Sequence, residues 1–248
     1  MSRWILVAGA SRGIGLETAR LLLKENFSVV ASARDTRPLE EEFANVGDDR
    51  LKIVPFDFSQ VEKTEGYVSR IIALTGGISG MLYSAGAQKT LPLTQSKFPI
   101  AEEIFRVNAF GAFELVRVLA KNAKKGDGGA SFVLISSLAA REGALGKALY
   151  GAGKGALEGF IPPAAAELAA RNIRLNAVAL GVIRTDMSME FIGKMSEEQR
   201  KSLEESYPLG LGEPEDASRF IVYLLSENAR WITGQTFVLD GGHMVRGC

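Results

Sequence analysis

The chain has little of what marks several common functional classes. Among its 248 residues there is one cysteine, Cys248, and one histidine, His243. A single terminal cysteine excludes an intrachain disulfide and a thiolate metal cage. The lone His243 argues against a His-based triad, a His-ligated zinc site and HExxH chemistry together. Charge of one sign is also lacking, since 29 Lys plus Arg face 29 Asp plus Glu. That balance argues against a nucleic-acid partner held by bulk electrostatics. No stretch reaches the ~18 uninterrupted apolar residues of a membrane helix. The chain enters an apolar run within three residues, which leaves no room for a secretory leader. The expectation is a cytoplasmic protein with no membrane and no metal.

What is present is an alternation of short apolar runs and helical patterns over the whole length. Trp4–Ala8, Ser28–Ser32, Leu51–Phe56, Gly80–Ser84, Ser131–Ile135, Ile173–Ala179 and Gln235–Leu239 read as buried strands. Gly13–Lys24, Val61–Thr75, Glu102–Lys121, Tyr150–Arg171 and Pro214–Leu225 read as helices, with Asn26 as a left-handed cap after the first and Pro214 opening the last. Apolar strands separated by helices predict an α/β fold: a doubly wound (Rossmann) parallel sheet with helices on both faces. No linker or repeat interrupts residues 1–248, so one domain is expected, with residues 127–129 only a turn.

Directly after the first strand come Gly9-Ala10-Ser11-Arg12-Gly13-Ile14-Gly15. Glycines there let the chain turn sharply and bring backbone N–H groups to a pyrophosphate at a helix N-terminus. The spacing is GxxxGxG and not the general GxGxxG, so a ligand-free turn is the alternative; the position in the first strand–helix turn favours the nucleotide. The second strand ends in Ala33-Arg34, where an NAD site would place an acid. Arg34 together with Arg12 suits a 2′-phosphate, which predicts NADP(H). Asp35 is the competitor for NAD, and solvated surface charge is the alternative for both arginines.

Tyr150 and Lys154 stand four residues apart, on one face of a helix. A nearby ammonium favours the phenolate and lowers a phenol whose ordinary pKa is about 10. Alone, such a pair is common in helices of no function. Ser137, however, follows the fifth strand at the sheet edge where ligands bind, and its hydroxyl can hold a substrate oxygen. Asn108 lies within an apolar helix, where it serves either a proton relay to Lys154 or a backbone bond.

Taken together these motifs resemble those of the short-chain dehydrogenase/reductase family, and most closely the 3-oxoacyl-(acyl-carrier-protein) reductases. The resemblance rests on AGASRGIG at 8–15, Asp57, YSAG at 83–86, Asn108, Ser137, YGAGK at 150–154, LGVIRTDM at 180–187 and DGG at 240–242. It implies that Tyr150 is the general acid/base, Lys154 tunes it and holds the nicotinamide ribose, Ser137 positions the carbonyl and Asn108 completes a relay. It also implies that Gly9, Ser11, Arg12, Gly13, Ile14, Gly15, Arg34, Asp57, Phe58, Ser84, Ala85, Gly86, Tyr150, Lys154, Gly181, Ile183 and Thr185 contact the cofactor. The implied activity is hydride transfer between NADP(H) and a carbonyl or alcohol in a homo-oligomer, dimer or tetramer. An NAD-linked alcohol or sugar dehydrogenase and a non-catalytic nucleotide sensor are the alternatives.

The chain departs from the family pattern at Ala8, Ser84 and Leu180, and at Pro162-Pro163, which are expected to kink or break the helix they occupy. Substrate choice is expected from Leu138–Leu149 and from Met187–Pro208, an amphipathic lid or a small surface helix. Arg184, Lys194, Arg200 and Lys201 form either a basic spot for an acidic carrier protein or a solvated face.

Overall fold

The computed structural model describes residues 3–123 and 129–245. Residues 127 and 128 of the expected turn, and Cys248, lie outside the described residues. Strand β1 (Trp4–Ala8) leads to helix α1 (Gly13–Lys24), β2 (Ser28–Ala33), α2 (Arg37–Glu42), β3 (Leu51–Pro55), α3 (Thr64–Thr75) and β4 (Gly80–Tyr83). There follow α4 (Phe98–Phe105), a π-helical turn (Arg106–Phe110), α5 (Gly111–Asn122), β5 (Ala130–Ser137) and α6 (Ala148–Ala169). The chain ends with β6 (Ile173–Leu180), α7 (Asp186–Ile192), α8 (Glu197–Glu205), α9 (Pro214–Leu225) and β7 (Thr236–Leu239).

The strands form one parallel sheet in the order β3-β2-β1-β4-β5-β6-β7. Alternate residues of a strand face opposite sides, and β1 divides accordingly. Trp4, Leu6 and Ala8 pack with Tyr67, Leu115, Leu157 and Ile161 of α3, α5 and α6. Ile5 and Val7 pack with Ala19, Leu22, Ile221 and Leu225 of α1 and α9. Helices on both faces explain why these strands are apolar at every position. The winding reverses between β1 and β4, and the crevice beyond their carboxyl ends is where such sheets take ligands.

Three local findings differ from the sequence reading. The helix expected over Glu102–Lys121 is split by the π-helical turn that carries Asn108. There the Tyr83 hydroxyl donates to the carbonyl of Val107 at 2.6 Å. Gly111 makes room, since a Cβ on it would stand 2.6 Å from that hydroxyl. A side chain inserted beside the helical ladder is a recognised cause of such bulges. Second, α6 is not broken at Pro162-Pro163 but runs unbroken from Ala148 to Ala169. Both prolines are exposed, while Leu157, Ile161, Ala165 and Leu168 anchor the opposite face in the core. Third, the short α2 was not expected; six residues are too few to show a helical period. Among the described residues no helix is long and apolar enough to cross a membrane.

Candidate active site

The carboxyl ends of β1, β4, β5 and β6 bring most of the expected residues to one edge of the sheet. Strand β5 extends through Ser136 and Ser137, and Ser137 pairs in register with Leu180 of β6. Leucine at 180, in place of proline, keeps that last pairing possible. Helix α6 then returns over the strand end and carries Tyr150 and Lys154.

Lys154 is almost fully enclosed, at 3% exposure. Its ammonium donates to the carbonyl of Ile135 at 2.7 Å. Burial pushes its pKa down to about 8, because a desolvated cation is disfavoured. The ammonium stands 5.8 Å from the centroid of the Tyr150 ring. In the ligand-free chain the Tyr150 phenol is raised rather than lowered: burial lifts it above its ordinary range, while a hydrogen bond with Ser137 pulls the other way. The Tyr–Lys spacing predicts the opposite sign. The difference arises because burial of the phenol outweighs the hydrogen bond from Ser137.

Asn108 is fully buried. Its amide donates to the carbonyl of Ala87 at 2.7 Å and accepts from the amide of Ala87 at 2.9 Å. The backbone bond, one of its two expected roles, is therefore present. Gly86 leaves the second open: a Cβ there would stand 3.0 Å from Asn108 Oδ1 and 3.6 Å from Lys154 Nζ. The two polar groups thus border one space that glycine keeps clear.

The β1–α1 loop has the features of an anion cradle. Arg12 occupies the N-cap of α1 in an extended conformation, and no side chain caps the helix. The first-turn amides of such a helix lack intrahelical partners and favour negative charge. Gly13 has φ +56°, and a Cβ on it would lie 3.1 Å from Thr185 Cγ2, so this loop meets the segment after β6. The donor set suits a pyrophosphate. Gly9 is different: its amide and that of Ala10 both donate to the carbonyl of Ser32. Gly15 is a packing position, since a Cβ there would stand 2.1 Å from the carbonyl oxygen of Gly9.

Other expected contacts sort in the same way. Arg34 is exposed beyond β2; burial pushes the Asp57 carboxyl up, but hydrogen bonds from the Ser59 amide and hydroxyl, and after them the charge of Arg34, hold it below its ordinary value. The charge of Arg12 reaches Glu190 on α7. Asp35 is exposed and held to Arg37 at 2.6 Å. The Phe58 side chain is core, 5% exposed, edge-on to Phe56, Tyr67 and Tyr83, so the expected contact falls to its backbone. Ile14 and Ile183 likewise contribute to the core. Ser11, Ala85 and Gly86 remain partly open at the crevice. The amide of Ser84 donates to the carbonyl of Ala8 at 2.8 Å. A Cβ on Gly181 would lie 2.9 Å from the Tyr207 ring, and Thr185 caps α7 in a box with Ser188.

Helices α7 and α8 border a cleft of about 730 Å³ that includes Phe191, Met195, Ser206 and His243. The cluster read as either a basic spot or a solvated face is largely paired: Arg184 lies with Glu204 and Glu213, Lys194 with Glu190, and Lys201 with Glu205. Arg200 donates to the carbonyl of Gly193.

Three groups escaped the sequence reading. Glu158 accepts from Ser136 at 2.7 Å and from Arg141 at 2.8 Å, fastening α6 to the end of β5. His243 places Nδ1 2.9 Å from the carbonyl of Ser206 and Nε2 3.0 Å from Glu142. Lys147, at the N-cap of α6, lies over the Phe191 ring at 4.6 Å. The one sequence signal for any of them is that Lys147, Tyr150 and Lys154 follow a 3-then-4 spacing along one helix face.

Comparison with known proteins matches residues 9–244 to the family model described as enoyl-(acyl carrier protein) reductase. Carbonyl reductase family member 4 of Xenopus laevis is 32% identical over 243 residues, covering 98% of each chain. The 3-oxoacyl-(acyl-carrier-protein) reductase FabG of Aquifex aeolicus is 32% identical over 241 residues, 96% of this chain and 95% of that one. Among solved structures, ElxO with NADP bound aligns at TM-score 0.89 and 26% identity, over 99% of this chain and 100% of that one. A short-chain type dehydrogenase/reductase from Mycobacterium ulcerans aligns at TM-score 0.90 and 30% identity, over 99% and 92%.

Proposed function

Because the chain belongs to the short-chain dehydrogenase/reductase family, we propose that it transfers a hydride between NADP(H) and a carbonyl or alcohol carbon. Ketones and 3-oxoacyl thioesters are the substrates to try first. The observation that carries this reading is the convergence of Ser137, Tyr150 and Lys154 at the end of β5, on the sheet edge that also bears the uncapped α1 loop.

In this reading the β1–α1 loop with Thr185 holds the diphosphate, Arg34 and Arg12 favour a 2′-phosphate, and Asp57 meets the adenine. The engagement of Asp35 by Arg37 leaves it poorly placed to hold a ribose diol, which weighs for NADP(H) over NAD(H). The cofactor supplies the hydride. The chain supplies the proton. Ser137 Oγ donates to the carbonyl oxygen and orients it. Tyr150 Oη gives its proton to that oxygen as negative charge develops there. A phenol raised by burial is protonated at neutral pH, which suits the reducing direction. Lys154 stabilises the phenolate left behind, and the gap at Gly86 admits a water between Lys154 and Asn108 to return the proton. The reading includes a soluble homo-oligomer, dimer or tetramer, to be checked by light scattering.

The test is NADPH and NADH oxidation with a panel of ketones and 3-oxoacyl thioesters. NADPH is expected to give the higher kcat/KM, and Arg34→Ala to narrow that preference by about tenfold or more, as loss of a charge-assisted phosphate contact requires. A preference for NADH would assign the site to the NAD-linked alternative. Tight cofactor binding without turnover would assign it to a sensor.

A further inference from the structure

The reductase reading leaves one cation of the site unused. Lys147 is partly buried at the start of α6, three residues before Tyr150 and seven before Lys154. On a helix those spacings share a face. Its ammonium stacks on Phe191 of α7 at 4.6 Å. Among the described residues it makes no hydrogen bond and no ion pair within 4 Å. The nearby carboxylate, Glu142, is close enough to be felt, but it is committed to His243 Nε2 at 3.0 Å. The other nitrogen of that ring is committed to the Ser206 carbonyl at 2.9 Å. Both partners of the imidazole are acceptors, so His243 competes with Lys147 for Glu142 and ties it to the end of α8.

The position is costly without a ligand. A cation at a helix N-terminus opposes the helix dipole, and α6 has no acidic residue in its first turn to offset it. Burial already disfavours the charge: it lowers the Lys147 pKa, with Glu142 opposing. The segment is nevertheless held in place, because the amide of Leu91 donates to the carbonyl of Gly146 at 2.9 Å. Cation–π contact with Phe191 leaves the three ammonium protons without a protein acceptor among the described residues.

We infer that Lys147 is a specificity-determining residue that binds an anionic group, a carboxylate or its equivalent, on the carbonyl substrate. This rests on the reductase reading of the same site and names its substrate class: oxo acids in preference to neutral ketones or esters. Neighbouring turns on a helix face lie about 5–6 Å apart, which sets the anion a few bonds from the carbonyl carbon that Tyr150 serves. Phe191, above the ammonium, ties the same contact to α7.

The test compares matched pairs with NADPH: pyruvate, acetoacetate and levulinate, each against its methyl ester. The quantity read is the ratio of kcat/KM for acid over ester. Reading a ratio within one preparation cancels the fraction of each variant that is folded. The wild-type chain is expected to prefer the acid of at least one pair. Lys147→Met is expected to lower that ratio by about tenfold to a hundredfold, as loss of a charge-assisted hydrogen bond requires, and Lys147→Arg to restore most of it. Equal turnover of acid and ester by the wild type, or an unchanged ratio in Lys147→Met, overturns the inference and leaves the reductase reading standing. Absence of turnover with every carbonyl compound, including those of the broader panel, overturns both.

Discussion

Lys154 shows at the residue scale what this site costs the fold. An ammonium at 3% exposure with a pKa near 8 is about 2.5 below the value of 10.5 it has when unfolded. At about 1.4 kcal/mol per pKa unit, burying the charged form costs about 3 kcal/mol at neutral pH. The sign follows from proton counting. Between pH 8 and 10.5 the unfolded chain holds a proton at this group that the folded chain has lost, so stability rises with pH through that window. Lys154→Met removes the contribution. In chemical denaturation, the unfolding free energy of the variant minus that of the wild type is expected to fall by up to about 3 kcal/mol from pH 8 to 10.5. A difference that stays flat contradicts the account of the buried charge. Tyr150, Lys154 and Ser137 were legible in the sequence, because a helix spacing and a strand end fix where they fall. Glu142–His243 was not: its members are 101 residues apart, and only the closed sheet brings them together.

At the scale of elements, the β1–α1 turn is the tightest joint. Gly15 lets the first turn of α1 lie against Gly9, where a Cβ would meet the Gly9 carbonyl oxygen at 2.1 Å. Gly15→Ala is expected to cost about 1–3 kcal/mol or more, since backbone cannot yield as a flexible side chain can. It should also weaken NADPH binding, because α1 must shift away from the strand. Urea titration and fluorescence titration check the two effects, and a variant of wild-type stability would show that the joint has slack. Strands and long helices were legible from their apolar periods, three of them to the residue: β1, α1 and α9. The π-helical turn was not. It depends on the Tyr83 hydroxyl, which comes from β4, and no local period carries that information. Pro162-Pro163 were expected to disrupt α6. The helix continues because its other face is pinned in the core by four residues and by the bonds of Glu158.

For the whole molecule, the alternation of apolar strands and helices determined the sheet, and the sheet determined the site. Parallel strands all end on one edge, so the residues after β1, β4, β5 and β6 have to meet there. That geometry is why motifs spread over 8–187 could be read as one constellation before any contact was known. The surroundings of α7 and α8 were less legible, because sequence spacing does not say which carboxylates neutralise which cations there. Of the cations that the sequence groups as a basic spot or a solvated face, Arg184, Lys194 and Lys201 are held in ion pairs, while the ammonium of Lys147, outside that group, meets the Phe191 ring.

The central claim is that Tyr150 supplies the proton for hydride transfer. The direct measurement is NADPH oxidation by Tyr150→Phe with a carbonyl substrate that the wild type reduces, beside the NADPH dissociation constant of each protein. The account expects kcat to fall by about 10²–10⁴-fold with the dissociation constant within about threefold, because the phenol hydroxyl forms little of the cofactor cradle. A variant that turns over as the wild type does would contradict it.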